Sequence, residues 1–252
     1  MEPSVLRAIA MATLAGASTL IGACVVVFFK RSTKVLSFSL AFAGGVMMSV
    51  SFWDLYPHAI HSISGYMANH FAVLLCILLL SIGMLFAHGV DAFVPDAPAA
   101  VDENTGQIYR IGIFSMLALM LHNFPEGIAT FVSAYEDVSL GVTITLAIAL
   151  HNIPEGITVA MPVYYATGSR KKAFYYTFLS AGAEPAGAIA AFLVLRPLIT
   201  PFLLGCVFAF VAGIMLFISI EKLLPAAGKE HGALWATFLG ICLLPLCELL
   251  LP

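Results

Sequence analysis

Two copies of one polar motif lie inside long apolar stretches of the sequence. Residues 122–127 read HNFPEG and residues 151–156 read HNIPEG, so histidine, asparagine and glutamate recur in the same order. In each copy the histidine and the glutamate are four residues apart, which places both side chains on one face of a helix. Imidazole nitrogen combined with carboxylate oxygen is a ligand set for Zn²⁺, Fe²⁺, Co²⁺ or Mn²⁺. The two motifs therefore predict a transition-metal site.

A third acidic residue, Glu184, is predicted to share the depth of the motifs. It lies 11 residues into the sixth apolar run, while His122 and His151 lie 11 and 13 residues into the fourth and fifth runs. Since a helix rises about 1.5 Å per residue, all three fall near the middle of a membrane. Each ionised side chain there costs about 2.5–3.5 kcal/mol. These three runs contain no lysine or arginine, so protons or divalent cations are expected to neutralise Glu126, Glu155 and Glu184.

Asparagines and prolines add polar groups to the same helices. Asn123 and Asn152 project about 100° from the histidines, which widens the polar face. Proline removes the backbone hydrogen bond to the carbonyl four residues earlier. Such carbonyls are tolerated in a membrane only where protein groups, water or an ion satisfy them. The prolines are Pro125, Pro154 and Pro185, and the freed carbonyls belong to Leu121, Leu150 and Ala181.

The composition places the chain in a membrane. Of its 252 residues, 61% are hydrophobic and only 10% are charged, whereas a soluble domain carries about 25% charged residues. The formal net charge of −3, without a basic tail, argues against a nucleic-acid partner. The five cysteines lie in apolar runs without a CxxC pair, so we expect them to be packing residues.

Eight apolar runs are long enough for membrane-crossing helices of about 20 residues. We therefore predict an all-α membrane protein with a single transmembrane domain over residues 1–252. The first run has charged residues before it and no convincing cleavage site, so we expect it to be retained. The longest connection, residues 94–110, is typical of a solvated linker. The predicted spans are 5–29, 36–57, 71–94, 111–134, 138–165, 173–195, 201–224 and 233–251.

Positive charge is distributed unevenly between the two sides of the predicted bundle. Nine of the 11 lysines and arginines fall on the side reached after odd-numbered spans, and only Arg7 and Arg196 fall on the other. Cytoplasmic loops of membrane proteins are enriched in these residues. Both termini are therefore expected on the non-cytoplasmic side of the membrane.

A second internal repeat relates the second and seventh spans. Residues 43–59 align without a gap on residues 211–227, with six identities in seventeen positions. The two spans run in opposite directions, and so do spans four and five, which carry the repeated motif. Inverted repeats with polar groups near their centre are typical of secondary transporters.

Polar residues near the ends of the spans are candidates for the two mouths of a path. Asp54 lies 18 residues into the second span and therefore near its outer end, with His58 and His61 just beyond. An interfacial polar belt would place the same residues there. Three residues lie towards the cytoplasmic end and could receive an ion on its way out: Glu221, His88 and Asp91.

Three functions are compatible with a central cluster of histidine and glutamate. Uptake of a divalent cation is the first, because a negative interior favours it by about 4.6 kcal/mol per 100 mV. A proton- or sodium-coupled carrier of another solute would use the glutamates as a relay. An intramembrane zinc hydrolase would hold zinc with one coordination position open for water, but the pattern H-E-x-x-H is absent. A phosphate loop is absent as well, so ATP hydrolysis is not expected.

At these residues the chain resembles the ZIP (Zrt/Irt-like) metal transporters, and most closely their bacterial branch. The resemblance covers nearly the whole chain and is carried by HNFPEGIATF, HNIPEG, GAEPAG and ISIEKLLP in spans four to seven. It implies uptake of Zn, Fe, Mn, Co or Cd into the cytoplasm, with the metal as the transported substrate and no catalytic cofactor. It also implies that the chain is not an enzyme and that spans 1–3 and 6–8 are inverted counterparts around spans 4 and 5.

The resemblance further implies a binuclear metal site, in which the motif glutamates bridge the two ions. One metal position would be formed by His122, Glu126, His151 and Glu155. The other position would be formed by Asn123, Glu126, Asn152, Glu155 and Glu184.

Two features depart from the family pattern. The loop between spans three and four lacks the histidine cluster common in the family, which puts metal sensing there in doubt. Pro185 directly follows Glu184, which is expected to alter the local backbone. A bacterial inner membrane is the expected location. The sequence fixes neither the physiological metal nor the oligomeric state, and a homodimer is compatible with it.

Overall fold

The computed structural model describes residues 2–95, 102–195, 198–228 and 230–249. The described residues form helices and turns without any strand, so the predicted all-α class is confirmed. Part of the predicted linker, residues 96–101, lies outside the described residues, as do Arg196 and Lys229. The helical segments are α1 (Pro3–Phe28), α2 (Thr33–Ser64), α3 (Asn69–Asp91), α4 (Glu103–Glu136), α5 (Val138–Thr167), α6 (Arg170–Val194), α7 (Pro201–Ala227) and α8 (Ala233–Glu248).

Within the described residues, α1 to α7 are each long and apolar enough to cross a membrane. The eighth helix, α8, is apolar but has only 16 residues. At about 1.5 Å per residue it measures about 24 Å, somewhat less than the hydrocarbon core of a bilayer. The predicted eighth span extends to residue 251, beyond the end of the described chain.

Side-chain caps fix where several helices begin. Asp102 Oδ1 accepts a hydrogen bond from the backbone N–H of Thr105 at the start of α4, at 3.0 Å. This hydrogen bond lowers the pKa of the exposed Asp102 carboxyl below its usual value. Asp137 is the only residue between α4 and α5, and its Oδ1 accepts from Leu140 N at 2.8 Å. The connection between α4 and α5 is therefore a single residue, and it keeps the two helices that carry the motif next to each other.

Reciprocal glycine pairs bring four pairs of helices into close contact. In each pair, a Cβ added to either glycine would overlap the carbonyl oxygen three residues before the other glycine. Small residues of this kind let membrane helices approach closely, with Cα–H groups against carbonyl oxygens. The pairs are Gly22 with Gly156 (α1 and α5), Gly127 with Gly187 (α4 and α6), Gly45 with Gly240 (α2 and α8) and Gly83 with Gly213 (α3 and α7).

These contacts divide the helices into two groups with matching internal arrangements. One group contains α1, α4, α5 and α6, and the other contains α2, α3, α7 and α8. The aligned repeats correspond in detail, because the helices change to π-helical geometry over Val50–Leu55 in α2 and over Ile218–Leu223 in α7. Those stretches occupy the same positions in the alignment of residues 43–59 with 211–227. Both the pairing and the π-helical stretches follow the symmetry that inverted repeats predict.

The helix α6 is interrupted for one residue shortly before Glu184. Helix Arg170–Ala181 ends at a turn at Gly182, and a second segment, Ala183–Ala190, continues the span. Pro185 deprives the Ala181 carbonyl of its helical partner. That oxygen faces Gly16 of α1, where an added Cβ would lie 2.6 Å from it. The freed carbonyl is therefore covered by protein rather than by lipid, as a membrane interior requires.

Candidate metal site

Four motif side chains from α4 and α5 meet at one point. His151 Nε2 of α5 lies 3.0 Å from Glu126 Oε1 of α4. His122 Nε2 lies 3.2 Å from Glu126 Oε1 on its own helix and 3.2 Å from Glu155 Oε1 on α5. Each glutamate thus approaches the histidine of the other copy of the motif. The spacing of four within each copy puts the side chains on one face, and the packing of α4 against α5 brings the two faces together.

The ligand atoms lie close together, yet several of them make no hydrogen bond within the described residues. One ligand atom each from His122, His151 and Glu155 can be chosen so that all lie within 4.8 Å of one another. Although His122 Nε2 is close to both glutamates, it makes no well-aligned hydrogen bond in the described part of the chain, and neither do the oxygens of Glu155. Zinc binds histidine nitrogen and carboxylate oxygen at about 2.0–2.2 Å, so an ion between these atoms would reach all of them after small side-chain shifts.

Glu184 and Asn152 form the adjoining part of the cluster. Asn152 Nδ2 donates to Glu184 Oε1 and, at 3.0 Å, to the backbone carbonyl of Ala15 in α1. Glu184 Oε2 and both polar atoms of the Asn123 side chain have no hydrogen-bond partner among the described residues. Buried polar groups normally have partners, so these oxygens are candidate ligands. The structure therefore brings Asn152 and Glu184 of the predicted second metal position into contact, and Asn123 is buried next to His122 on α4.

The cluster is buried and strongly acidic. Two of its side chains are nearly buried, with His151 2% and Glu126 3% exposed. The other five are fully buried: His122, Asn123, Asn152, Glu155 and Glu184. No lysine or arginine is buried in the described part of the chain. Three carboxylates without a neighbouring basic side chain other than histidine are costly in a low-dielectric interior. Bound cations would remove that cost, which fits the chemistry of the donor set.

A cavity of about 510 Å³ leads from the cluster to the protein surface. Glu126 and His151 line its inner end, and Asp54 and His58 line its outer part. The two outer side chains are paired, since His58 Nδ1 lies 2.7 Å from Asp54 Oδ1, and the His58 side chain is 68% exposed. The predicted outer-mouth residues Asp54 and His58 therefore share one cavity with the cluster.

His61, the third residue predicted at the outer mouth, is exposed and is not among the residues that line this cavity. Sequence reasoning missed other lining residues, whose signal was weak because they lie in ordinary apolar or turn-rich stretches. They come from α4, α5, α7 and α8 and include Ser133, Thr143, Phe208 and Cys247. Of these residues only Cys247 gave a signal in the sequence, because its position near the end of the last apolar run indicates that it lies near one side of the membrane.

A second cavity, of about 450 Å³, lies at the opposite end of the bundle. Asp91 and Glu221, which were predicted at the cytoplasmic mouth, line it together with Arg110 and Lys222. None of the seven predicted metal ligands lines this cavity. His88 is exposed and packs against the edge of the Phe217 ring, with 5.8 Å between ring centroids. The cluster is therefore reached from the outer cavity and separated from the inner one.

A bundle of membrane-crossing helices around a buried cluster of histidine and glutamate defines an integral, multi-pass membrane protein suited to a metal ion. The profile of the family described as ZIP Zinc transporter matches residues 95–247 of the chain. The chain therefore belongs to the ZIP family, which confirms the resemblance seen in the sequence motifs. The members of this family are transporters, and the hydrolase alternative finds no support in this relationship.

Curated relatives extend the match over almost the whole chain. The zinc transporter ZupT of Oceanobacillus iheyensis is 43% identical over 265 aligned residues, which cover 98% of this chain and 99% of that protein. The zinc transporter ZupT of Streptococcus mutans is 40% identical, with 99% of each chain covered. The zinc transporter ZupT of Lysinibacillus sphaericus is 44% identical, with 91% of this chain and 90% of that protein covered.

Proposed function

We propose that the protein imports divalent transition-metal cations, zinc foremost, into the cytoplasm as a secondary transporter or facilitated carrier. One observation carries the proposal: His122 and Glu155 from different helices lie 3.2 Å apart in a buried cluster at the end of a cavity that reaches the surface. Nitrogen and oxygen donors suit Zn, Fe, Mn, Co and Cd, and the relatives named above are zinc transporters. The metal is the substrate, and no catalytic cofactor is needed.

The cluster has enough donors for two ions. His122, Glu126, His151 and Glu155 would hold one ion. Asn123, Asn152 and Glu184 would hold the second, together with the two motif glutamates as bridges. Three carboxylates nearly balance the four positive charges of two divalent ions. Support comes from the unpartnered atoms of Asn123, Glu155 and Glu184 in the described part of the chain.

Transport requires the cluster to be exposed to each side in turn. In the described geometry the outer cavity reaches Glu126 and His151, and the inner cavity does not. The helices fall into two groups, and the metal cluster belongs to the group formed by α1, α4, α5 and α6. Movement of this group against α2, α3, α7 and α8 would transfer access from the outer cavity to the inner one. A membrane potential of 100 mV, negative inside, favours inward movement of a divalent ion by about 4.6 kcal/mol.

The orientation and location are part of the proposal. We place both termini on the non-cytoplasmic side, with the outer cavity facing away from the cytoplasm, in the inner membrane of a bacterium. The basic residues Lys30, Arg31, Lys34, Arg170, Lys171 and Lys172 would then face the cytoplasm. Residues 1–252 would form one transporter domain in which α8 completes an eighth crossing. The exposed apolar side chains of α3 would face lipid.

All proposed ligands come from one chain, so the metal site itself does not require a homodimer. Purified protein in liposomes tests the function directly. A transporter accumulates zinc in response to an inside-negative potential without any added organic substrate, and competition among Zn²⁺, Fe²⁺, Mn²⁺ and Cd²⁺ at two pH values ranks the cargo. A flux that persists after all transition metals are chelated would instead favour a proton- or sodium-coupled carrier of another solute.

A further inference from the structure

The two mouths carry opposite charges at equivalent positions of the inverted repeat. In the gapless alignment of residues 43–59 with 211–227, Asp54 corresponds to Lys222 and His58 to Ala226. Asp54 and His58 line the outer cavity, and Lys222 and Ala226 line the inner one. The repeat thus provides a carboxylate at the outer mouth and an ammonium group at the inner mouth.

The Lys222 side chain is held by an ion pair and two aromatic rings. Its Nζ lies 2.6 Å from Asp91 Oδ2 of α3. The same atom lies 5.6 Å from the centre of the Phe114 ring in α4 and 5.5 Å from that of Phe217 in α7. Both distances are within the range of cation–π attraction. The two rings also contact each other edge to face at 5.8 Å.

The same contacts fasten the helix that carries the metal ligands to the other helix group. Arg110, one turn before Phe114 on α4, donates to the backbone carbonyl of Asp91 at 3.0 Å, and its guanidinium lies 4.0 Å from Asp91 Oδ1. Phe114 is eight residues before His122, which corresponds to about 12 Å along the helix. Lys222, which contacts Phe114, also lines the inner cavity, so these contacts lie between the metal ligands of α4 and that cavity.

The inner mouth has two carboxylates that a departing metal would meet, Asp91 and Glu221. Lys222 is already paired with Asp91. The ammonium group paired with Asp91 disfavours a divalent ion there, because the two cations repel each other. The contacts of Lys222 join three helices, and α4 belongs to a different helix group from α3 and α7. Here the pair spans α3 and α7, and the aromatic contact extends it to α4.

We propose that Lys222 is a tethered cation that keeps the inner mouth closed while the outer cavity is open, by occupying Asp91 and fastening α4 to α3 and α7. The lysine must leave Asp91 before metal can pass. This inference rests on the proposed transport function. The distribution of lysine and arginine in the sequence indicates only that Lys222 lies on the cytoplasmic side. The inference gives this residue a role.

The test uses a thiol at a position of α4 that lies between the metal ligand His122 and Ile111, which lines the inner cavity. Ser115 is fully buried and lies seven residues before His122, so both side chains are on the same face of α4. A Ser115→Cys substitution changes one atom. A membrane-impermeant thiol reagent applied from the cytoplasmic side, with peptide mass spectrometry to locate the modified position, then reports how often the inner mouth opens.

Lys222→Met, which keeps an apolar stem on the rings but removes the charge, is expected to accelerate labelling at position 115 by about fivefold, the size of effect for one partly exposed ion pair. Asp91→Asn breaks the same pair from the other side, should have the same effect, and serves if the lysine variant does not fold. Lys222→Arg keeps the charge and should label as slowly as the parent. Lys171→Met, which removes an exposed lysine at the start of α6, should do the same.

Unchanged protection of position 115 in both Lys222→Met and Asp91→Asn would overturn the inference. Equally fast labelling in Lys222→Arg would also overturn it, since charge would then be irrelevant. The labelling needs no metal, whereas zinc uptake by the Ser115→Cys parent tests the transport function separately. A parent that is protected but does not transport zinc would therefore count against the proposed function and not against the closed mouth.

Discussion

His151 and Glu126 face each other across the contact between α4 and α5, with 3.0 Å between Nε2 and Oε1. Glu155 approaches His122 in the same way, at 3.2 Å. The two copies of the motif are therefore cross-paired, and neither helix carries a complete site. This arrangement makes the cluster depend on the registration of α4 against α5, which the one-residue turn at Asp137 fixes.

Replacing Glu126 or Glu155 by alanine should abolish metal accumulation and leave membrane insertion intact. Each glutamate approaches a histidine of the cluster, so its loss removes one of the proposed metal ligands. Membrane insertion depends on the apolar runs, which the substitutions leave unchanged. Zinc uptake into proteoliposomes measures the first effect, and the yield of monodisperse protein in detergent measures the second. Glu136→Ala is the matched control, because Glu136 is exposed at the end of the same helix α4. Normal uptake by both cluster variants would refute the central site.

Asp54→Ala should raise the zinc concentration needed for half-maximal uptake. Its carboxylate lines the outer cavity and is paired with His58, so its loss removes negative charge from the route to the cluster. Charged mouths mainly increase the local concentration of an ion, and the effect should shrink as ionic strength rises. Initial uptake rates over a range of zinc concentrations, at low and high salt, check both points. An unaltered half-saturation value would remove Asp54 from the path.

The two histidines that follow Asp54 should behave differently. His58 lines the outer cavity, whereas His61 is exposed outside it. His58→Ala is expected to weaken zinc uptake at low zinc concentration, and His61→Ala is expected to leave it unchanged. The same concentration series separates them. A stronger effect of His61 would show that metal approaches by another route.

Gly22→Ala should destabilise the protein, because its Cβ would overlap the Ile153 carbonyl oxygen at the contact between α1 and α5. Overpacking of this kind costs about 1–3 kcal/mol, or more where backbone is in the way. Thermal unfolding in detergent should show a lower midpoint. Gly89→Ala is the matched control, since nothing lies within 4 Å of its added Cβ. Equal midpoints for the two variants would contradict the close approach of the helices.

Glu184→Ala should reduce the number of zinc ions bound per chain from two to one. Glu184 contacts Asn152 and is not one of the four proposed ligands of the first ion, so the first metal position should survive its loss. Equilibrium dialysis followed by elemental analysis counts the bound ions, with Glu136→Ala as the control that keeps both. The same count in the wild type and in Glu184→Ala would exclude Glu184 as a ligand of a separate ion.

The sequence alone was enough to predict the class of fold and the members of the cluster. The spacing of four residues predicted that His122 and Glu126 share one helix face. The similar depth of the polar residues in three apolar runs predicted that Glu184 lies near them. The hydropathy pattern also predicted the helices that carry them, because a lipid environment demands long apolar runs. These predictions rest on local patterns, which a single sequence displays directly.

Features that depend on helix packing were not predictable in the same way. Cross-pairing of Glu126 with His151 requires the relative rotation of α4 and α5, which no spacing within one helix contains. The π-helical stretches Val50–Leu55 and Ile218–Leu223 shift the side chains beyond them around the helix axis, and the alignment of the repeats gave their symmetry but not their geometry. Lys222 was counted as a cytoplasmic charge, whereas its contacts with Asp91 and Phe114 depend on how α3, α4 and α7 meet.

The most direct test of the central claim is the zinc K-edge X-ray absorption spectrum of the purified, zinc-loaded protein. The account predicts a first shell of histidine nitrogen and carboxylate oxygen at about 2.0–2.2 Å. It also predicts that the histidine contribution is lost in a His122→Ala, His151→Ala double variant. Sulfur ligands at about 2.3 Å, or a spectrum that the double variant leaves unchanged, would contradict it.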